Sequence, residues 1–435
     1  MSFNRMLTIG DVAKVFDGPH ATPKKIDTGP YFLSISSLEN GKLDLSKSAH
    51  LSDEDFAKWT RRVTPEAGDI LFSYETRLGE VAMMPAGVTA CLGRRMGLLR
   101  PDRTKILPEY LLYAYQSNAF QEVIRANTIH GATVDRIALK DLPSFPIQVP
   151  PLKEQQKIID ILKGYDRKLV LNLETNQTLE AMAQAIFKSW FVDFDPVKAK
   201  MNGEQPEGMD AATASLFPEK LVESELGLIP EGWTVKPFKK VIDKYVDNRG
   251  KTPPVVEDGI PLVEVKHLPE NSAFPNLNTD KHVTEETFNT WFRVHVEPKD
   301  VLISTVGTIG RTSFVKNTNF GIAQNVLGLR FGKVVEPEYM FYTIKAHRFQ
   351  NDMDARLVTT VQSSIKRKDL DTIDILVPPS NVQKEFCKLV GSLLDGQYSK
   401  NAENIELARL RDTLLPKLLS GEIELGSSEE LVEAI

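Results

Sequence analysis

Two runs of adjacent basic residues mark this sequence as a candidate for anion chemistry: Arg94–Arg95 in LGRRMG and Lys366–Arg367–Lys368 in SIKRKDL. Neighbouring like charges repel unless an anion compensates them, which makes such runs candidate phosphate contacts. On nucleic acid, Lys, Arg and main-chain amides fix register on phosphates, while bidentate side chains read base edges. The candidates are polar and basic residues in turn-like segments. DGPHATPKK offers His20, Thr22, Lys24 and Lys25; SYETRLG offers Tyr74 and Arg77. LGRRMG offers Arg94 and Arg95, and HGATVDR offers His130, Thr133 and Arg136. Further along, NRGKTPP offers Arg249, Lys251 and Thr252, and STVGTIGR offers Thr305, Thr308 and Arg311. AQN offers Gln324 and Asn325, and VQSSIKRK offers Gln362, Lys366 and Arg367. Any single basic residue reads more readily as a solvated charge, so the clustered ones are the stronger candidates. Arg61–Arg62 reads as structural as much as binding. Tyr110, Tyr113, Tyr339 and Tyr342 are expected in the core rather than stacked on bases.

The search for catalytic chemistry comes back empty. A DNA methyltransferase needs an NPPY-like or Pro-Cys site beside a Gly-rich cofactor loop; RGKTPPV at 249–255 is the nearest stretch and has the wrong residues. GTIGRTS at 307–313 does not satisfy the phosphate-loop pattern GxxxxGK[ST] and reads as a β-turn. There is no HExxH, and the histidines at 20, 50, 130, 267, 282, 295 and 347 lack ligand spacing. The two cysteines, Cys91 and Cys387, stand outside any CxxC, so neither a disulfide framework nor a zinc site is expected, and a reducing cytoplasm fits. No stretch approaches the ~18–20 apolar residues of a membrane span. No catalytic residue, metal ligand or cofactor site is therefore expected in this chain. A nuclease site built from carboxylates distant in sequence is the enzymatic alternative.

The net charge of −6 argues at first against a polyanionic partner. Its distribution softens that objection. Residues 1–150 hold 18 Lys+Arg against 17 Asp+Glu and residues 228–378 hold 20 against 19, whereas the remainder holds 15 against 23. Two near-neutral blocks carry the candidate residues, and the connecting segments carry the acidity.

Those blocks are copies of one another. GDILFSYETRLGEV at 68–81 matches KDVLISTVGTIGRT at 299–312, and ILPEYLLYAYQSNAFQ at 106–121 matches VEPEYMFYTIKAHRFQ at 335–350. IALKDLPSFPIQVPPLKEQ at 137–155 matches IKRKDLDTIDILVPPSNVQ at 365–383, and AHLSDEDFAKW at 49–59 answers KHVTEETFNTW at 281–291. Each copy mixes short strand-like runs with turn punctuation, then a helical aromatic stretch, and ends at paired prolines. A long helix follows each copy. In the first, Leu162, Leu169, Asn176, Ala183 and Trp190 recur every seven residues beside Tyr165, Asn172, Leu179 and Ile186. This is a coiled-coil seam in which Asn172 and Asn176 sacrifice stability to fix register or partner. In the second, Gln397, Lys400 and Arg411 fall on seam positions. The polar run 195–227 reads as a linker. The expected domains are 1–150, a helix over 151–194, the linker, 228–378, a helix over 379–425, and an acidic, disordered tail over 426–435. Two similar modules on long helices suggest a bivalent reader, since a helix of about 39 residues measures about 58 Å.

DGPHATP at 17–23, GDILFS at 68–73, IQVPPLKEQQKI at 147–158, SWFVDFDPVKAKMNGE at 189–204 with LGLIPEGWTV at 226–235, LVPPSNVQ at 376–383 and LLPKLLSGEI at 414–423 resemble the specificity subunits of type I restriction-modification enzymes. The likeness spans nearly the whole chain in the family's order. It implies an α+β fold of two mixed α/β target-recognition domains, each followed by a long helix, the helices pairing as an antiparallel coiled coil. It further implies a non-catalytic chain that reads a bipartite, asymmetric sequence in double-stranded DNA. The partners would be two methyltransferase subunits and two endonuclease/translocase subunits, carrying the S-adenosylmethionine, ATP and Mg²⁺. SNVQKEF at 380–386 is a weaker copy of LKEQQKI at 152–158, so docking on the two sides need not be equal. The alternative is a stand-alone bivalent DNA-binding protein without methyltransferase partners.

Overall fold

The computed structural model describes residues 5–39, 41–248, 250, 252–357 and 363–423. The chain divides into two units: residues up to Leu169 together with those from Ile405 onward, and Val170–Asn404. Both divisions fall inside the long helices, Leu152–Lys188 and Ser380–Ser420, so each unit contains part of each helix.

The first unit is built on a four-stranded antiparallel sheet in the order Ala13–Asp17, Met96–Pro101, Ile70–Ser73, Val81–Met83. Side chains alternate across a strand, and here both faces are covered. Ile70, Phe72 and Leu99 face the core shared with the helices, while Leu71, Leu98 and Met96 face a smaller core of loops. That explains why ILFS reads as a continuous apolar run. The second unit repeats the sheet with Lys244–Val246, Val326–Arg330, Val301–Ser304 and Thr312–Phe314. Each unit adds a three-stranded sheet around Ile26–Phe32 or Ile260–Val263.

The repeated motifs are mostly structural. Arg100 donates to both oxygens of Asp69, at 3.0 and 2.8 Å, and Arg330 to both of Asp300, at 2.8 and 2.9 Å. Both acids are buried, and bidentate guanidinium pairing satisfies a buried carboxylate. The glutamine after the paired prolines fastens each long helix to its domain. Gln155 Oε1 accepts from the Leu107 amide at 2.8 Å and its Nε2 donates to the Pro150 carbonyl at 2.8 Å. Gln383 does the same with the Glu336 amide at 2.8 Å and the Pro378 carbonyl at 2.7 Å. Tyr110, Tyr113, Tyr339 and Tyr342 are buried core residues, and the Tyr113 hydroxyl donates to Asp166 on the first helix at 2.7 Å. Burial first, then the neighbouring acid, raises the Tyr113 phenol far above its ordinary pKa, which keeps it a donor.

The helices pair in opposite directions in each unit. In the first, Ile158, Ile159 and Leu162 share a core with Leu418 and Leu419; in the second, Ala183, Phe187 and Trp190 share one with Val382, Phe386 and Leu394. Asn172 Nδ2 donates to Asn404 Oδ1 at 2.9 Å and Asn176 Nδ2 to Asn401 Oδ1 at 2.7 Å, so the partner numbers fall as the helix advances. The polar residues anticipated on the seam also find partners. Gln397 lies 3.3 Å from Glu180, and Arg411 lies 3.3 Å from Asp166.

The segment read as a linker, 195–227, is folded. It forms helices Asp195–Met201 and Ala211–Ala214 and half of the hairpin Leu221–Ser224/Gly227–Pro230. Val197, Ala214 and Phe217 are buried in the core of the second unit, with the Phe217 ring 5.2 Å from that of Trp190. A few well-spaced apolar residues anchor a segment whose average composition is polar. The first long helix, Leu152–Lys188, runs on into a π-helical turn at Ser189–Asp193 that is capped by Phe194 at φ 56°. The tail 426–435 lies outside the described residues.

Candidate nucleic-acid interface

Antiparallel pairing brings the candidate loops to one edge of each sheet. Asp17 stands opposite Gly97 and Met96 opposite Ser73, so the end of Ala13–Asp17, the start of Met96–Pro101 and the end of Ile70–Ser73 coincide. The hairpin Thr128–Ile129/Arg136–Ile137 joins them through the Glu75–Arg136 bridge and the Ile137 amide, which donates to the Tyr74 carbonyl at 2.9 Å. The result is a cleft of about 450 Å³ bordered by His20, Tyr74, Arg94, Arg95, Arg136 and Lys140, with Asp17 and Glu75 among them. Residues anticipated from four separate segments meet here.

Within the cleft the side chains are held to different degrees. The Tyr74 hydroxyl donates to Asp17 Oδ1 at 2.9 Å, and burial followed by that acid raises its pKa, so it stays protonated. His20 Nε2 lies 2.8 Å from Asp17 Oδ2. Arg95 adopts a left-handed backbone at φ 70° and its Nε lies 2.8 Å from Glu75 Oε2, off the line of its N–H, so charge rather than a formed hydrogen bond pairs them. Arg94 and Arg136 are exposed. Arg77 turns away, donating to the Ile35 carbonyl at 3.2 Å and to Glu80 at 2.9 Å. His130 is exposed beside Asp135, and Thr22, Lys24, Lys25 and Thr133 are exposed without lining the cleft. A second cleft of about 350 Å³ on the other side of the DGPHA loop is bordered by Lys58, Trp59, Arg61 and Arg62.

The second unit repeats the placement with other residues. Val246 pairs with Gly328 and Ser304 with Val326, and the Val306–Ser364 bridge takes the place of Glu75–Arg136. Gln324 and Thr308 are exposed and Asn325 half-buried. Arg367 lies 3.6 Å from Asp247, its guanidinium 4.9 Å above the Tyr245 ring; Lys366 is exposed beside it. Arg311 is engaged with Glu270 at 3.1 Å, and Thr252 is exposed. Thr305 must be withdrawn as a contact residue. It is 1% exposed, with its main-chain amide donating to the Asn325 carbonyl at 3.0 Å, because it continues the buried strand end that Tyr74 occupies in the first unit. Arg249, Lys251 and Gln362 lie outside the described residues.

Sequence reasoning does not single out Asp17, Glu75 or Asp247, yet each pairs with a basic residue at its sheet end. The available signal was the repeat itself, which sets Asp17 in line with Asp247. Gly79 and Gly310, at φ 85° and 83°, likewise shape equivalent turns after the strands Ile70–Ser73 and Val301–Ser304. Gln121 and Gln350 each donate to the carbonyl of the respective glycine at 3.3 Å, and a Cβ there would meet that glutamine's oxygen at 2.2 Å. Cys91 is buried, its thiol pushed up to about 12 by desolvation, and burial raises Cys387 as well, so neither is a reactive thiolate. Among the described residues no helix is long and apolar enough to cross a membrane.

Known proteins share this organisation. The chain is 28% identical over 375 residues to the "Type I restriction enzyme HindI specificity subunit" of Haemophilus influenzae, covering 75% of this chain and 80% of that one. It is 26% identical to the "Putative type I restriction enzyme MjaX specificity subunit" of Methanocaldococcus jannaschii, covering 95% and 92%. The fold resembles the crystal structure of the type I restriction-modification S subunit from M. genitalium, with a TM-score of 0.50 at 17% identity over 95% of this chain and 96% of that one. The family model described as "Type I restriction modification DNA specificity domain" matches residues 4–181 and again 230–408. The chain belongs to the type I restriction-modification DNA specificity family and carries the family's domain twice.

Proposed function

We propose that this chain is the non-catalytic DNA-reading subunit of a type I restriction-modification complex, recognising a bipartite, asymmetric sequence in double-stranded DNA. The observation that carries this reading is the matched pair of sheet edges, each gathering polar and basic loops but with different residues at equivalent places. Arg94 and Arg95 stand where the second unit has Gln324 and Asn325. Arginine pairs bidentately with guanine, and Asn or Gln with adenine, so two such edges suit two unlike half-sites. Arg94, Arg95, Arg136, His20, Gln324, Asn325, Lys366 and Arg367 are the favoured contacts.

In this reading the paired helices set the spacing and present docking surfaces to two methyltransferase subunits, with two endonuclease/translocase subunits completing the complex. Leu171, Leu173 and Met182 on the first helix and Ile405 and Leu410 on the second are exposed, between 44% and 69%. Exposed apolar side chains on both helices are what a protein partner would cover. S-adenosylmethionine, ATP and Mg²⁺ belong to those partners, and the complex works in the cytoplasm.

Purification from the native host tests the reading. The chain should arrive with a larger methyltransferase partner, and the complex should methylate DNA. Purified alone, it should neither methylate nor cut DNA supplied with S-adenosylmethionine and Mg²⁺. Cutting by the isolated chain would replace this reading with a nuclease, and a chain binding DNA without partners would favour the stand-alone bivalent protein.

A further inference from the structure

An acid stands among the basic residues at the equivalent end of each four-stranded sheet. Asp17, the last residue of its strand, is 25% exposed and collects groups from three places. Oδ1 accepts from the Tyr74 hydroxyl at 2.9 Å, and Oδ2 lies 2.8 Å from His20 Nε2 and 3.6 Å from Arg62 Nη1. These partners come from the loop directly after Asp17, from the turn after Ile70–Ser73, and from the segment after helix Asp53–Trp59. The registers give the equivalent in the other unit. Phe16 faces Leu98, two residues beyond Met96 opposite Ser73; Val246 faces Gly328, two residues beyond Val326 opposite Ser304. Asp247 is therefore the counterpart of Asp17, and it holds Arg367, which lies over Tyr245.

A carboxylate in a phosphate-facing cleft weakens binding to any DNA. It also restrains cations that would otherwise swing toward the nearest phosphate. Specificity is a difference between affinities, and lowering the affinity for wrong sequences raises it. We propose that Asp17 and Asp247 are specificity-determining positioning residues, each aiming the donors at its own sheet end toward base edges and withholding their charge from phosphates. The proposal rests on the DNA-reading role above, and neither acid need touch a base.

The test uses the full chain assembled with its methyltransferase partner. A pool of random-sequence duplexes defines the bipartite target, and duplexes with single changes in each half then measure discrimination. Asp17→Asn should lower discrimination in one half about tenfold, the scale of one mismatched base pair, and leave the other half intact. It should also tighten binding to unrelated duplexes and steepen their salt dependence by about one unit. Asp247→Asn should do the same for the opposite half. Tyr74→Phe, which removes one hydroxyl and no charge, should lower discrimination in the Asp17 half without tightening unrelated binding. Loss of affinity for all duplexes alike, or full discrimination in both Asn variants, would overturn the proposal. A wild-type complex selecting no bipartite sequence would overturn the DNA-reading role itself.

Discussion

Arg94 and Arg95 are neighbours in sequence but not in circumstance. Arg94 is exposed, whereas Arg95 is half-buried in a left-handed backbone and held beside Glu75. An unrestrained guanidinium suits phosphate, and an oriented one suits a base edge. Arg94→Ala should therefore weaken binding to all duplexes alike and flatten the salt dependence by about one unit. Arg95→Ala should cost about 1–3 kcal/mol on the target only, relaxing preference within one half-site. Titrations at several salt concentrations separate the two, and identical losses from both variants would refute the distinction. Loop membership was legible from turn composition and basic clusters. The roles of Asp69, Gln155 and Gln121 were not, since their partners at Arg100, Leu107 and Gly79 lie 31 to 48 residues away in the chain. Thr305 failed for a related reason: nothing in ISTVG marks where the buried strand stops and the exposed turn starts.

Among the elements, the long helices were the most legible, because a seven-residue apolar repeat survives two asparagines. The structure supplies what periodicity could not, the partners of those asparagines. Asn172 with Asn404 and Asn176 with Asn401 form two buried rungs between antiparallel helices. A buried polar rung costs stability when mismatched, so it favours one register. Lengthening one helix alone between the asparagines would put the two rungs out of register with each other, so the spacing test needs both helices. Four residues inserted between Asn172 and Asn176, and four between Asn401 and Asn404, add ~6 Å and rotate the downstream part of each helix by ~40° beyond one turn. Two base pairs add ~6.8 Å at ~3.4 Å each and ~69° of twist at ~10.5 base pairs per turn. The remaining ~30° lies within modest DNA distortion. The doubly lengthened chain should keep both half-sites and widen the gap between them by one or two base pairs, read from its methylated sequence. An unchanged gap at full activity would show that the helices do not measure distance. The segment 195–227 was the least legible element, since Val197, Ala214 and Phe217 are too few to disturb a polar average.

For the whole molecule, duplication was the decisive signal, and it was readable because both copies must form the same sheet and fasten the same kind of helix. Asp69 and Asp300, Gln155 and Gln383, and Gly79 and Gly310 recur because each pair answers one structural need twice. Residues that reach solvent at the sheet edges are under no such constraint, and there the copies diverge: Arg94 against Gln324, Arg136 against Ser364. A shared frame with unlike edges is what two independent half-site readers require. The most direct test replaces residues 1–150 with the matching block of a family member of different specificity and determines the sequence methylated by the assembled complex. One half of the recognised sequence should change to that of the donor, with the other half and the gap retained. Change in both halves, or in neither, would contradict the account.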